Sequence, residues 1–469
     1  MRHSFLVFIY IFIAIVSFIV PDTQYSADGI WTLEVLLIVS VTIFMLYKEP
    51  ILAIKAVFFR PLFLFILAYI IVFFQSPIDF ILGYVDGYLR IGDHQLMIVS
   101  VKYALLGLLA FLIGYVIEAD KIKAHRKGGF SVSVDSPKTF AFFSSLLIVL
   151  LLVLVPRSVL MGGYSNDMLT NASIYNYLAS WVNTILISYI VIYTVNAKQT
   201  GEQVGADIKS FIKSIGWWQN INVIVYTIII LNIGDRGPLI VLAFSYYLSY
   251  IVICKKKLSN TKISVALISD IMITSILGDT KQFRDNNSIW ERLISVLDSR
   301  SYQEKESFFP GTSQLAGSYC CLPLAIQMQK NTGEYDFGKN QVSGITSAIP
   351  FIGRIMKLPE STSSRISRFA LGDNFDYGLG TSCISDLFLD GGLFFILIGM
   401  FLWGMVLRKF EENIFLDGCS SFFSFCMGFY FLVHVVYIPR STILSPFKYG
   451  LWMYVIILLY MTLRKKVTR

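Results

Sequence analysis

Twelve long apolar runs constrain this chain more than any other feature of its sequence. Most of them approach the ~20 residues that an α-helix needs to cross a bilayer. Because the runs are continuous and do not alternate with polar residues, they predict helices and exclude a membrane β-barrel. The chain is therefore expected to be an all-α polytopic membrane protein with about 12 transmembrane helices. The predicted spans are residues 4–20, 30–47, 56–74, 97–117, 139–155, 176–196, 218–233, 238–253, 263–277, 382–407, 420–437 and 449–463.

One long polar stretch, residues 278–381, separates the ninth predicted span from the tenth. It has no run able to cross a bilayer, but parts of it are typical of short helices. Residues 288–299 place apolar side chains on one helical face, and residues 313–329 indicate an apolar helix broken near Pro323. The sequence thus predicts three parts: spans one to nine in 1–277, a partly helical loop in 278–381, and spans ten to twelve in 382–469.

Lysine and arginine are distributed unevenly around the predicted spans. The segments on the same side as the N-terminus hold 22 of them, the short segments on the other side hold six, and the long loop holds eleven. Because such residues concentrate on the cytoplasmic side, both termini are predicted to be cytoplasmic and the long loop periplasmic. Most of the net charge of +8 then reflects topology, so nucleic-acid binding is not expected.

The cysteines and histidines do not indicate a metal centre. The six cysteines lack metal-ligand spacing, and the four histidines are scattered. Cys320, Cys321 and Cys383 lie in or next to the long loop, so one disulfide is an alternative to buried free thiols, which are favoured. The sequence also lacks a Walker loop, a dinucleotide fingerprint and the D-x-D of nucleotide-sugar enzymes. Neither a metal nor another cofactor is expected.

The stretch "NIGDRGPLIVLAF" predicts a tight turn at the start of the eighth span. Pro238 suits the first turn of a helix, and the N-terminus of that helix favours an anion. Arg236 adds a planar cation with the geometry to bind phosphate or carboxylate. The alternative is that Asp235 and Arg236 form only a capping ion pair at a hairpin.

A second group of charged residues lies at the end of the long loop, in "RISRFALGDNFDYGLGT" and the residues that follow. Arg365 and Arg368 are three residues apart and could share one helical face. Asp373 follows in a glycine-rich turn, while Asp386 and Asp390 share one face at the start of span ten. Such a mixture can bind a diphosphate through arginine and activate a hydroxyl through a carboxylate. The alternative is a solvated loop followed by an acidic helix start.

Further arginines lie near the outer ends of the predicted spans. Arg440 lies between two prolines in the last outer loop, Arg157 has a similar position after span five, and Arg284 opens the long loop. Each could simply extend along apolar surface toward water. An outward-facing, arginine-rich site without a nucleotide motif nevertheless suits polyprenyl-diphosphate-linked sugars, the main activated compounds outside a bacterial cytoplasmic membrane.

Several motifs together resemble the Wzy-type O-antigen polymerases. They are the "GDRG" turn, "IPFIGRIMKLPE" around Arg354, "GLGTSCISDLFLDGG" and the late "PRS", combined with one long outer loop late in the chain. Members of that family commonly carry a GGxR-like turn, an IPxxLxP stretch and a GxGxSxxxExYxxxG stretch at these places. This chain differs in having Asp235 where Gly or Ser is usual and Asp386 where Glu is frequent.

The resemblance implies a metal-independent glycosyltransferase of the GT-C type in the bacterial inner membrane. It would transfer a glycan from undecaprenyl diphosphate to the non-reducing sugar of a new lipid-linked repeat unit. By position, Arg236 and Arg440 would stabilise diphosphate, Arg354, Arg365 and Arg368 would hold donor or acceptor, and Asp373 or Asp386 would act as base. Asp235 joins the catalytic candidates, and Arg157 and Arg284 join the substrate-binding ones.

Two alternatives belong to other classes of protein. A flippase for lipid-linked oligosaccharide would have short loops and cationic residues inside the bundle, and the loop of about a hundred residues disfavours it. The ligase that moves O-antigen to lipid A is normally marked by a histidine in its long loop, and residues 278–381 contain none. The expected partners of a polymerase are the lipid-linked substrate, membrane lipid, a flippase and a chain-length regulator.

Overall fold

The chain forms a bundle of helices in a computed structural model. The described residues are 3–22, 25–46, 60–84, 95–121, 138–160, 168–200, 207–233, 235, 237–254, 307–349, 355, 360–373, 378–415 and 421–467. Every regular element within these ranges is helical, and none of them is a strand. The predicted all-α fold class is therefore confirmed.

The α-helices of the described ranges are numbered in chain order. They are α1 His3–Ile19, α2 Ala27–Leu46, α3 Pro61–Ile81, α4 Gln95–Lys121, α5 Lys138–Leu154, α6 Arg157–Leu160, α7 Met168–Thr200, α8 Ile208–Ile215, α9 Trp217–Ile233, α10 Gly237–Cys254, α11 Ser313–Ala316, α12 Cys321–Thr332, α13 Lys339–Thr346, α14 Thr362–Leu371, α15 Cys383–Phe415, α16 Phe422–Val433 and α17 Phe447–Val467.

Six of these helices, namely α2, α3, α4, α7, α10 and α15, are long and apolar enough to cross a membrane. Helices α8 and α9 meet at 98° and count as a seventh if they form one broken span, while α1, α5, α16 and α17 are apolar but shorter. Described helices coincide with eleven of the twelve predicted spans, and the remaining one, 263–277, lies outside the described residues. The chain is thus a multi-pass membrane protein, while the count of 12 stays a prediction.

Helices α4 and α15 form the most extensive helix pair within the described ranges. Glycine permits their close approach, as is common between membrane helices. A Cβ atom at Gly114 would lie 2.0 Å from the carbonyl oxygen of Phe401, and one at Gly404 would lie 2.1 Å from that of Phe111. This contact fixes α15, which carries Asp386 and Asp390, against α4.

Helix α15 is broken at Gly391 and Gly392, where the backbone leaves helical geometry. Gly392 has a φ of 66° with a ψ of −153°, a combination that only glycine adopts without strain. The break separates a short leading segment, residues 383–390, from the long apolar remainder. The two carboxylates of α15 therefore lie on the short segment.

The described part of the predicted long loop packs against one end of the bundle. Ser76 in α3 donates a hydrogen bond to the carbonyl oxygen of Ala316 at 3.0 Å, and Tyr319 donates to that of Met97 in α4 at 3.0 Å. Helix α13 contacts both α15 and α17. We call this side of the bundle, where α11 to α14 lie, the loop end.

The loop helices differ in one detail from the sequence prediction. Residues 313–329 do form a broken helix, but the break is the 3-10 turn Gly317–Cys320, and Pro323 lies in the first turn of α12. A proline there removes no helical hydrogen bond, because the first N–H groups of a helix have no partner within it. The predicted helix at 288–299 lies outside the described residues.

The described cysteines are free thiols, as the sequence favoured, and Cys419 lies outside the described residues. Cys320, Cys321 and Cys383 are buried without forming a disulfide. A hydrogen bond with Cys320, together with burial, raises the pKa of the Cys321 thiol well above its usual range. This thiol therefore stays protonated.

A buried charged network joins α3, α4 and α15 at the end of the bundle opposite the loop end. Arg60 donates to Glu411 at 2.9 Å, and Arg408 donates to Glu412 at 2.5 Å. Tyr115 donates to Glu411 at 2.6 Å and accepts from Arg408 at 3.2 Å. Because Arg408 and Glu411 are inaccessible to solvent, this network locks the three helices together.

Candidate functional site

Two buried carboxylates lie side by side on the leading segment of α15. Asp386 is 1% exposed and Asp390 is 0% exposed. The Thr381 hydroxyl donates to Oδ1 of Asp386 at 2.7 Å, and the backbone N–H of Asn340 donates to Oδ1 of Asp390 at 3.1 Å. The Oδ2 atom of each is buried and accepts no hydrogen bond from the described residues. A buried carboxylate oxygen without a partner is costly, which marks a functional candidate.

The loop brings a third carboxylate and an arginine to these two acids. Nη1 of Arg365 in α14 lies 2.6 Å from Oδ2 of Asp336. The side-chain amide of Asn340 donates to the same Asp336 oxygen at 2.9 Å, and its backbone N–H contacts Asp390. Arg365 also lies within electrostatic reach of Asp386. We call these five residues, Asp336, Asn340, Arg365, Asp386 and Asp390, the acid–arginine cluster.

Arg368 and Asp373, in contrast, lie on the exposed rim of the loop end. Arg368 contacts Glu360 at 2.5 Å and Asp373 at 3.3 Å, with side chains that are 48% exposed for Arg368 and 88% exposed for Asp373. The hydrogen bond from Arg368 to Glu360 raises the pKa of the guanidinium group. Such exposed ion pairs are typical of a solvated loop, which was the alternative to a substrate-binding role. A role in the reaction stays a prediction for both residues.

Arg440 lies in the connection between α16 and α17. It ends a short 3-10 helix, Ile438–Arg440, which contacts α3 and α15. Its partly buried guanidinium forms no hydrogen bond or ion pair with any described residue. Both Arg440 and Asp386 lie close enough to Cys321 to act on it electrostatically. Within the described residues, a cation without an ion-pair partner therefore lies on an element that contacts α15, the helix of Asp386.

Asp235 caps the start of α10. Its Oδ1 accepts a hydrogen bond from the N–H of Gly237 at 3.2 Å, and its Oδ2 accepts one from the hydroxyl of Tyr175 at 3.2 Å. The carboxylate itself thus occupies the anion position that a helix N-terminus provides. Asp235 also lines a polar pocket of about 220 Å³ between α7, α10 and the α16–α17 connection.

Four predicted site residues remain, of which the structure describes only Arg157. Arg157 is exposed at the start of the short helix α6, which packs near α9. Arg236, Arg284 and Arg354 lie outside the described residues. Their predicted roles in binding substrate or stabilising diphosphate therefore stay predictions.

Sequence reasoning missed Asp336 and Asn340, because each contacts partners far away in the chain. Asp336 is 29 residues from Arg365, and Asn340 is 50 residues from Asp390. No spacing rule connects such distant positions in a single sequence. His434 was missed for another reason, because a lone histidine next to an apolar run has no patterned partner in the sequence.

Taken together, the fold and the site define a multi-pass membrane protein with acidic and basic side chains gathered at one end of an apolar bundle. A family model described as O-antigen polysaccharide polymerase Wzy matches residues 2–468, and the chain therefore belongs to this family. No curated protein and no solved structure matches the chain. The family confirms the predicted resemblance and supports an O-antigen polymerase that acts on lipid-linked oligosaccharide repeat units in the membrane.

Proposed function

We propose that this protein lengthens a surface polysaccharide by moving a growing glycan from polyprenyl diphosphate to a new lipid-linked repeat unit. The proposal rests on the acid–arginine cluster, where Asp336 holds Arg365 within electrostatic reach of the buried Asp386, and on Arg440 in a connection that contacts α15. The reaction needs cations for a diphosphate and an acceptor for the proton of a hydroxyl. The loop end supplies both kinds of group.

The proposed reaction breaks the bond between the anomeric carbon of the donor and its diphosphate oxygen. The non-reducing sugar of the acceptor attacks that carbon through a hydroxyl oxygen, and the hydroxyl proton passes to Asp386. Polyprenyl diphosphate leaves with both bonding electrons, and Arg440 and Arg365 offset its charge. Arg236 is proposed to assist from the turn before α10. In this scheme the arginines replace a metal ion.

An apolar groove of about 390 Å³ supports a lipid-linked donor. It follows α15 from Leu387 toward Phe410, and α16 forms its other wall. One of its ends meets Gln341 in α13, close to the acid–arginine cluster. An apolar groove that reaches a charged site suits an isoprenoid chain attached to a diphosphate. Other side chains that line the groove are Trp403, Phe423, Met427, Phe431, Leu444 and Phe447.

The proposal extends to location and partners. We place the protein in the bacterial inner membrane, with both termini in the cytoplasm and the loop end in the periplasm. The excess of Lys and Arg on the opposite side supports this orientation. A flippase would deliver the repeat units, and a chain-length regulator would end elongation. A GT-C-like arrangement of the spans belongs to the same proposal.

Substitution of Arg440 tests the proposed site in cells. A strain that lacks the native gene should form surface polysaccharide with a single repeat unit, and the wild-type gene should restore long chains. Arg440→Ala should lower elongation by about 100-fold, because one fixed donor to a developing charge is lost. The matched control is Lys330→Ala, which removes an exposed positive charge at the loop end.

The polysaccharide ladder on a gel decides between the alternatives. Single-repeat material with Arg440→Ala, together with full ladders for Lys330→Ala, supports the polymerase. A full ladder with Arg440→Ala contradicts the site assignment. Complete absence of repeat units from the lipid A core in the deletion strain would instead favour a ligase or a flippase.

A further inference from the structure

The polar pocket beside Asp235 is separate from the acid–arginine cluster. It lies between the N-terminal parts of α7 and α10 and the connection that follows α16. Drug-sized ligands occupy pockets of about 300–1,000 Å³, so a pocket of about 220 Å³ suits a smaller ligand. Its polar and aromatic wall includes Asn176, Ser180, Asn183, Tyr430, His434 and Tyr437. The proposed reaction assigns no role to this pocket.

Asn183 supplies an unused polar atom in the wall of the pocket. The residue is 7% exposed, and its Oδ1 is buried and forms no hydrogen bond with the described residues. A buried amide oxygen without a partner is destabilising. Because Asn183 lines the pocket, a rotation of its side chain would bring this oxygen to a hydroxyl group bound there.

His434 presents a fixed ring to the same pocket. Its Nδ1 lies 2.8 Å from the carbonyl oxygen of Tyr430, so Nδ1 carries the proton that makes this hydrogen bond. The ring also stacks on the Tyr430 ring, with centroids 4.4 Å apart. In the neutral tautomer Nε2 is left as an acceptor, and it has no hydrogen bond to a described residue. Two acceptors without hydrogen bonds to described residues therefore belong to side chains that line one small pocket with aromatic walls.

We propose that this pocket binds a single sugar ring of the lipid-linked repeat unit, with Asn183 and His434 accepting hydrogen bonds from its hydroxyl groups. The aromatic rings of Tyr430 and Tyr437 provide apolar surface for the C–H face of the sugar. His434 and Arg440 both belong to the connection between α16 and α17, which joins this pocket to a residue proposed to bind diphosphate. This inference rests on the proposed function, because it names where that substrate's sugar binds.

Binding of a free oligosaccharide tests the pocket without requiring catalysis. The probe is the single repeat unit released from the host polysaccharide, titrated calorimetrically into full-length protein in lipid nanodiscs. Asn183→Leu and His434→Phe should each weaken binding by about tenfold, because each removes an acceptor for a sugar hydroxyl. Asn176→Leu tests the exposed rim of the pocket and carries little risk to folding. The control is Asn331→Leu, an exposed amide in α12.

The outcomes separate this inference from the proposed function. Loss of binding in the three pocket variants, with wild-type binding for Asn331→Leu, supports the pocket even if elongation by the wild-type protein fails. Wild-type binding by His434→Phe and Asn176→Leu overturns the pocket, even where the wild-type protein elongates chains. A thermal melt within a few degrees of wild type shows that a weakened variant is still folded.

Discussion

At the scale of single residues, the acids at the loop end divide by environment. Asp386 is buried with one oxygen bonded to Thr381, whereas Asp373 is exposed and contacts Arg368. A general base needs a position next to the reacting hydroxyl and shelter from water, because solvent competes for the proton. Asp386 meets these conditions better than Asp373, although the sequence named both.

Asparagine at each of the two acids discriminates between them. Asp386→Asn should lower the rate of chain elongation by about 100-fold, since it removes the proton acceptor but keeps the shape of the side chain. Asp373→Asn should leave the rate within about threefold, because an exposed ion pair contributes little. Initial rates with a lipid-linked repeat unit measure both effects. A severe loss for Asp373→Asn together with a mild loss for Asp386→Asn would reverse the assignment.

At the scale of single residues, the sequence could predict only what a local pattern carries. The four-residue spacing of Asp386 and Asp390 placed them on one face of α15, and both are buried there. The pairing of Arg365 with Asp336 could not be predicted, because it depends on how the loop folds back over α15. A side chain in an unpatterned loop carries no local indication of its partner.

At the scale of helices, the contact between α4 and α15 sets the position of the site. Apolar length was enough to predict both helices, but not that they are neighbours. Their proximity depends on glycines at matching depths, and such pairing can be recognised only in three dimensions. The break in α15 at Gly392 could not be predicted either, since the pair of glycines there also suits a loop.

Gly404→Leu tests the importance of this helix contact. The new side chain would begin 2.1 Å from the carbonyl oxygen of Phe111, so the helices must separate. Overpacking of this kind costs about 1–3 kcal/mol or more, and a lower melting temperature in detergent is expected. Ile398→Leu, at an exposed position of the same helix, is the control and should melt like wild type. Equal melting of the two variants would contradict the packing.

Removal of Arg408 tests the charged network at the far end of the bundle. Arg408→Ala leaves buried carboxylates without one of their cations, which costs about 3–5 kcal/mol. The neighbouring Lys409 is exposed, so Lys409→Ala removes the same charge at little cost. Yield of folded protein and melting temperature are the measurements. A stable Arg408→Ala protein would show that the network does not hold α3, α4 and α15 together.

At the scale of the whole molecule, the orientation in the membrane follows from the distribution of lysine and arginine. Lys330 lies at the loop end and Lys409 lies near the opposite end of α15, so the two should be on different sides. A variant with all six native cysteines replaced by serine provides the background. In intact spheroplasts, an impermeant maleimide should label Lys330→Cys but not Lys409→Cys until the cells are permeabilised. The opposite labelling would invert the proposed topology.

We propose that one chain joins two lipid-linked glycans through a site at its loop end. Reconstitution tests this most directly: purified protein in vesicles, with the polyprenyl-diphosphate-linked repeat unit as the only substrate. We predict longer lipid-linked glycans and the release of one polyprenyl diphosphate for each new glycosidic bond, with both products greatly reduced for Arg440→Ala. Absence of elongation by the folded wild-type protein, or elongation without release of polyprenyl diphosphate, would contradict the claim.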